Sequence, residues 1–211
     1  MAMRTQEGAR RVSVAEFEQL PDDGNRHELV RGEVQTMPPS KGEHGFTESA
    51  VMEAVGRWLY DRARALGWEP KQGLSARNKL VGRTGSGEVG LHFATPDDPD
   101  MIRGADGVFI PPDQLAAVAW DGVGYFPAVP ALVVEIVSHN DRAGAVAEKV
   151  RDYLAGGGQH VWCVYPEDRA VHIHAAAAPV RIVSGDETLT DDLLPDFSLP
   201  LTLIFADPDP S

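Results

Sequence analysis

Hydrophobic positions along the chain change their period several times, and each change marks an element. From Thr47 to Leu66 the apolar side chains recur at helical spacing, with Val51, Val55, Trp58, Leu59 and Leu66 on one stripe. This predicts a long amphipathic helix that Gly67 ends. A second helical period runs from Ala143 to Ala155, where Val146, Val150, Tyr153 and Leu154 form the apolar face, Lys149 falls at its edge, and Glu148, Arg151 and Asp152 point away. A short helix over Val14–Leu20 has Ser13 as its N-cap. Alternating or continuous apolar runs predict strands elsewhere. They form a hairpin over His27–Met37 with its bend at Arg31–Gly32, stretches within Trp68–Ala76 and Leu80–Phe93, and short strands over Ala105–Ile110 and Ala131–Ser138. A further hairpin joins Val161–Tyr165 to Ala170–His174, and Val180–Val183 is one more strand. PDDGN (21–25), residues 38–42, the glycine-rich GRTGSGE (82–88), TPDDPD (95–100) and residues 111–130 read as turns and loops, the last with a helical turn near Gln114–Val118.

Strands outnumber helices, and hairpins mix with one strand–helix–strand crossover. The expected fold is therefore α+β, a mixed twisted β-sheet flanked by helices. Neither a repeat nor a linker divides the chain. A single domain over residues 12–205 is expected, with flexible tails at 1–11 and 206–211.

Composition adds limits. Hydrophobic residues make up 43% and charged residues 24%, an ordinary globular balance. No apolar run is long enough to span a bilayer, and the start has no secretory pattern, so a soluble, cytoplasmic protein is expected. The single Cys163 excludes an internal disulfide and reads as a buried thiol beside Trp162. A net charge of −13 argues against a broad electrostatic grip on nucleic acid. It leaves room for a local basic groove from Arg103, Arg142 and Arg151, and for a basic arm from Arg4, Arg10 and Arg11.

The candidate chemistry begins with Glu135. Ala131–Ser138 is apolar on both parities, as in a strand covered on both faces, and Glu135 interrupts it. A bare buried carboxylate is costly, so this one must be paired, bind a metal or carry a proton. The helix that follows turns Lys149 toward the same interior, which makes either a buried ion pair or a site. Asp106 shares strand parity with Val108 and Ile110, and glycines at 104 and 107 allow close approach. Two carboxylates on neighbouring strands suit a hard cation such as Mg²⁺ or Mn²⁺, with the backbone carbonyl of Ile136 as a further ligand. An ammonium beside them could orient a water or stabilise phosphate oxygens. Other candidate patterns fall away. Asp97, Asp98 and Asp100 lack calcium-loop spacing, His172 and His174 lack a third zinc ligand, and GRTGSGE lacks the lysine of a phosphate-binding loop.

HELVRGEV, His44 before the long helix, DPDMIRGADGVFI, PALVVEIVS and EKVRDYLAGGGQHVWCVYPEDRAVHIH together resemble the PD-(D/E)XK nuclease superfamily. More closely, they resemble a large bacterial family of restriction-endonuclease-like proteins of largely unknown function. The resemblance covers roughly residues 12–205. It implies a restriction-endonuclease-like core with an additional N-terminal hairpin and C-terminal strands. It further implies metal binding by Asp106 and Glu135, and a catalytic lysine moved from the strand, where Val137 stands, to the helix as Lys149. Glu28 matches the glutamate of the family's opening hairpin and would be an auxiliary catalytic carboxylate. Two departures stand out: Ala105 replaces the proline before the aspartate, and Ser138-His139-Asn140-Asp141 replaces S-P-S-x. His139 becomes an accessory candidate for contact with phosphate or water. His44 reads first as a helix-start or packing residue and second as an accessory group.

The resulting expectation is a Mg²⁺- or Mn²⁺-dependent nuclease hydrolysing phosphodiester bonds, a DNA endonuclease acting as a homodimer. The acidic balance keeps two rivals in view: a non-catalytic binding or regulatory module with the same fold, and a metal-dependent hydrolase of a small phosphoester.

Overall fold

A computed structural model describes residues 11–37, 42–118 and 120–205. Residues 1–10 of the expected tail at 1–11, with Arg4 and Arg10, the tail at 206–211 and most of the loop at 38–42 lie outside the described residues, whereas Arg11 donates to the Arg31 carbonyl at 3.1 Å. The chain opens with α1 (Val14–Phe17), where Ser13 and Glu16 form a reciprocal capping box. The hairpin β1 (Arg26–Val30) and β2 (Glu33–Met37) follows, then the long helix α2 (Gly42–Ala65) and α3 (Gly73–Val81). Two thirteen-residue strands come next, β3 (Arg83–Thr95) and β4 (Asp98–Ile110). After α4 (Pro112–Ala117) the crossover β5 (Leu132–Ile136), α5 (Ala143–Ala155), β6 (His160–Tyr165) leads into β7 (Ala170–Ala175) and β8 (Arg181–Ser184). The last pair is β9 (Thr188–Asp191) and β10 (Leu194–Pro200).

Three expectations are corrected. Residues 68–76 hold no strand; they form a 3-10 turn at Pro70–Gln72 and the start of α3. Only Trp68 is buried there, and Leu74 is 64% exposed, so the stretch has no apolar face for a sheet to cover. The glycine-rich GRTGSGE is the first half of β3, not a loop, and it pairs with β4 through a bulge between Ser86 and Val89. Backbone pairing to β3 also extends β4 back through the acidic stretch to Asp98, which alternation alone could not reveal.

An eight-stranded mixed sheet runs β2-β1-β4-β5-β6-β7-β8, with β3 paired to β4 off this path. Among the described strands only β5 and β6 pair in parallel, as the crossover requires. A strand has two edges, and β3 takes one edge of β4 along nearly its whole length. The other edge is shared: β1 meets it at Ile102, and β5 meets it from Gly107 to Phe109. Between those contacts, at Arg103–Asp106, the sheet forks.

Each face of the fork has its own core. Leu132, Val134 and Ile136 of β5 pack with Val51, Val55 and Leu59 of α2 and with Phe197 and Leu199 of β10. Val133 packs on the opposite face with Val150 and Tyr153 of α5 and with Cys163. This assigns β5 parity: even positions face α2, and Glu135 faces α5. Asp191 locks the β9–β10 hairpin to the sheet, accepting from Trp162 Nε1 at 2.7 Å and contacting His160 Nδ1 at 2.7 Å.

The close seating of α5 can be measured at its C-terminal end. A Cβ on Gly156 would lie 2.5 Å from Phe93 Cδ2 and 2.7 Å from Val129 Cγ2, both in the core, whereas one on Gly56 inside α2 would meet nothing within 4 Å. Gly156→Ala should therefore lower stability by about 1–3 kcal/mol through overpacking. Gly56→Ala should raise it by about 0.5–1 kcal/mol through helix entropy. Urea denaturation of the two variants checks this; equal midpoints would mean that the helix end is not pressed against the sheet.

Candidate active site

The site is built in the fork. Gly104 has no neighbouring strand on this edge, so side chains satisfy its backbone. Its N–H donates to Glu28 Oε1 at 3.1 Å, and its carbonyl accepts from Lys149 Nζ at 3.2 Å and Tyr153 Oη at 2.9 Å. Lys149 also lies 3.0 Å from Glu135 Oε2 and 3.2 Å from Glu28 Oε1. Tyr153 Oη, whose one proton is shared between the Gly104 carbonyl and this carboxylate, lies 2.7 Å from Glu135 Oε1, so both oxygens of the out-of-place glutamate are engaged by α5. Asp106 sits on the neighbouring strand. Its Oδ2 accepts from the Ile136 N–H at 2.7 Å, and its Oδ1 lies 3.0 Å from His44 Nε2 and 3.8 Å from Arg26. Glu28, Asp106 and Glu135 are all under a tenth exposed.

A second layer of charge backs the first. Arg103, 2% exposed, donates to Glu28 Oε2 at 2.7 Å and to Asp152 Oδ2 at 2.5 Å. Asp152 accepts from Arg31 at 3.1 Å, and Arg31 also donates to Glu148 at 2.5 Å. The Arg31 N–H donates to Asp98 Oδ2 at 2.6 Å, tying the β1–β2 turn to the start of β4. On the opposite side of Asp106, the β3 bulge sets Glu88 at φ 67° and directs it onto Arg26. The neighbouring Gly87 N–H donates to Glu48 Oε1 at 2.7 Å.

These contacts set the ionisation. Burial pushes the Glu135 carboxyl up to about 7; the Lys149 charge opposes this, and the carboxylates of Asp106 and Glu28 reinforce it. Burial works against the Lys149 ammonium, but the charges of Glu135, Glu28 and Asp106 outweigh it and hold the lysine above its ordinary value. Asp106 is driven up by burial and pulled down further by the contact with His44, so its carboxyl lies below the ordinary range. His44 is raised by Asp106 in turn. Burial and the Glu135 charge raise the Tyr153 hydroxyl well above its usual value, so it stays a donor.

Of the residues singled out from sequence, Glu28, His44, Asp106, Glu135 and Lys149 come together. Ile136 joins them through its N–H. His139 instead contacts Glu167 at 3.1 Å and is 55% exposed. Arg103 is not a groove residue, since its guanidinium is buried between two carboxylates. Arg142 and Arg151 remain exposed. Asp152 does not point away from the core; it is buried because Arg103 provides a partner inside. Sequence reading missed Tyr153 as a polar member, along with Glu48 and Glu88. His44 and Glu48 do share a helix face at i,i+4, a spacing that could have been noticed. Glu88 depends on a bulge that no pattern announced.

A family model described as "Putative restriction endonuclease" matches residues 14–202. A crystal structure from Anabaena variabilis ATCC 29413, solved as a putative nuclease belonging to DUF820, superposes with a TM-score of 0.69 at 16% identity, covering 92% of this chain and 97% of that one. At that identity the likeness concerns the fold. No curated protein matches the chain. No described helix is long and apolar enough to cross a membrane.

Two outcomes follow from the buried charges. Arg103→Met leaves Glu28 and Asp152 buried without their shared cation and should cost about 3–5 kcal/mol in urea denaturation. Arg103→Lys should recover only part of this, because an ammonium lacks the planar fork that reaches both carboxylates. For Glu135, an ordinary unfolded value of 4.5 and a folded value of about 7 mean that folding takes up a proton between them. Its contribution is full below 4.5 and is lost as pH rises through 7. Carboxyl ¹³C NMR of the metal-free protein should place this titration near 7; a midpoint at or below 4.5 would contradict it.

Proposed function

Because the chain belongs to the Putative restriction endonuclease family over residues 14–202, we propose that it is a metal-dependent nuclease hydrolysing phosphodiester bonds, with DNA as substrate. The observation that carries this reading is the convergence in the fork of Glu28, Glu135 and Lys149, linked to one another through Lys149 and to Gly104, with Asp106 bonded to the Ile136 N–H next to Glu135. The donor set fits a divalent cation. Three buried carboxylates face the first-layer Lys149, and Asp106 Oδ1 is met by His44 and Arg26 rather than by a hydrogen-bonded partner strand. Asp106 and Glu135, with the Ile136 carbonyl, would hold Mg²⁺ or Mn²⁺. Such an ion supplies Lewis-acid polarisation of a phosphate oxygen and a more acidic water.

The protein groups have separable parts in this reading. Lys149 keeps its proton, so it is a donor and a charge rather than a general base. It would orient the attacking water or offset charge developing on the phosphate. Glu28 and the Gly104 carbonyl fix where that ammonium sits. Tyr153 fixes the other oxygen of Glu135. Cutting both strands of a duplex would take two copies, each bringing one site. A net charge of −13 favours a second reading, a hydrolase of a small phosphoester that needs no long basic groove.

Plasmid and single-stranded DNA, incubated with Mn²⁺ or Mg²⁺ beside bis(p-nitrophenyl) phosphate, separate these readings. Cleavage of DNA should stop in EDTA and in Asp106→Ala. Lys149→Met should lose about 10²–10³ in rate, the cost typical of one missing donor, while still binding Mn²⁺. Cleavage that survives EDTA or Asp106→Ala would sink the proposal. Hydrolysis of the small ester alone would select the second reading.

A further inference from the structure

We propose that His44 and Glu48 of α2, together with Asp106, form a transition-metal position that the strand carboxylates alone do not provide. The inference rests on Asp106 as a metal ligand and adds a nitrogen donor to it. One ligand atom from each of the three residues lies within 4.8 Å of the other two. His44 and Glu48 are one helical turn apart and so share a face of α2. The β3 bulge holds Glu48 by the Gly87 N–H, which donates to Oε1.

The second observation is the imidazole itself. Its side chain is 9% exposed, and Nε2 lies 3.0 Å from Asp106 Oδ1. Despite that distance, Nε2 makes no hydrogen bond among the described residues, because the oxygen is off the ring N–H direction. An ordinary His–Asp pair would turn the N–H onto the oxygen. Two ligands each about 2.1 Å from one ion, and at right angles around it, are themselves about 3.0 Å apart with neither aimed at the other. The His44–Asp106 contact has that spacing and that misalignment. Imidazole nitrogen suits transition ions such as Fe²⁺, Ni²⁺ and Zn²⁺, whereas Mg²⁺, Ca²⁺ and Mn²⁺ are better matched by oxygen. The site should therefore discriminate by softness, favouring transition ions over Mg²⁺, and Mn²⁺ serves as its paramagnetic probe.

Full-length protein titrated with Mn²⁺ and followed by continuous-wave and pulsed EPR tests this. The bound ion in wild type should show ¹⁴N coupling from one imidazole. His44→Gln should remove that coupling and weaken Mn²⁺ by at least about tenfold, since even outer partners of a metal site typically cost 10–100-fold. Glu48→Gln, on a half-exposed helix position, should weaken Mn²⁺ and keep the nitrogen signal. Mn²⁺ bound without ¹⁴N coupling, or coupling that persists in His44→Gln, overturns the inference and leaves an oxygen-only site for the proposed nuclease. Failure of Mn²⁺ to bind overturns both. Nitrogen coupling in a protein that cuts no nucleic acid supports the metal position and removes the nuclease reading alone.

Discussion

The arrangement depends on the backbone of Gly104. A buried N–H and carbonyl must be paired, and here no strand is available to pair them. Glu28 from β1 and Lys149 and Tyr153 from α5 do so instead. The gap that would weaken a sheet is thereby the place where polar side chains are required. The demand comes from the backbone and not from the missing side chain, since a Cβ at residue 104 would make only ordinary contacts, 3.8 Å from Glu88 Oε2 and 4.0 Å from Glu28 Oε1.

Charge is distributed in shells around that point. Lys149 stands against Glu28 and Glu135; Arg103 stands behind Glu28; Asp152 and Arg31 stand behind Arg103. Neighbouring shells alternate in sign, so each of these ions has a counter-charge, although the chain as a whole is strongly acidic. Such alternation favours one spatial arrangement over others, because displacing any member leaves its neighbours unpaired in a low-dielectric interior.

Much of this was legible in the sequence, for a definable reason. Glu135 broke an apolar run, Lys149 lay at the edge of an apolar helix face, and Asp106 kept strand parity with Val108. Each signal was a polar residue in a position whose periodicity demanded burial. The same logic failed for Asp152, because a polar residue beside other polar residues reads as solvated until its partner, Arg103, is known to be inside. It failed for GRTGSGE, because glycine and serine hide pairing that is made wholly by backbone. α3 was missed because its leucines face outward, so neither strand nor helix period emerged. Long-range ion pairing and backbone-only pairing are the two interactions that leave no local trace.

The parity of β5 has a consequence for how the chain reaches this fold. The strand is apolar on both sides, so its hydrophobic pattern alone would tolerate a shift of one residue against β4 or β6. Such a shift would turn Glu135 from Lys149 and Tyr153 into the apolar layer under α2, among Val51, Val55 and Trp162. The carboxylate therefore acts as an alignment key. It lets an otherwise featureless central strand find its place, and the group that looks like a liability in the finished core is one that helps the core assemble in a single way.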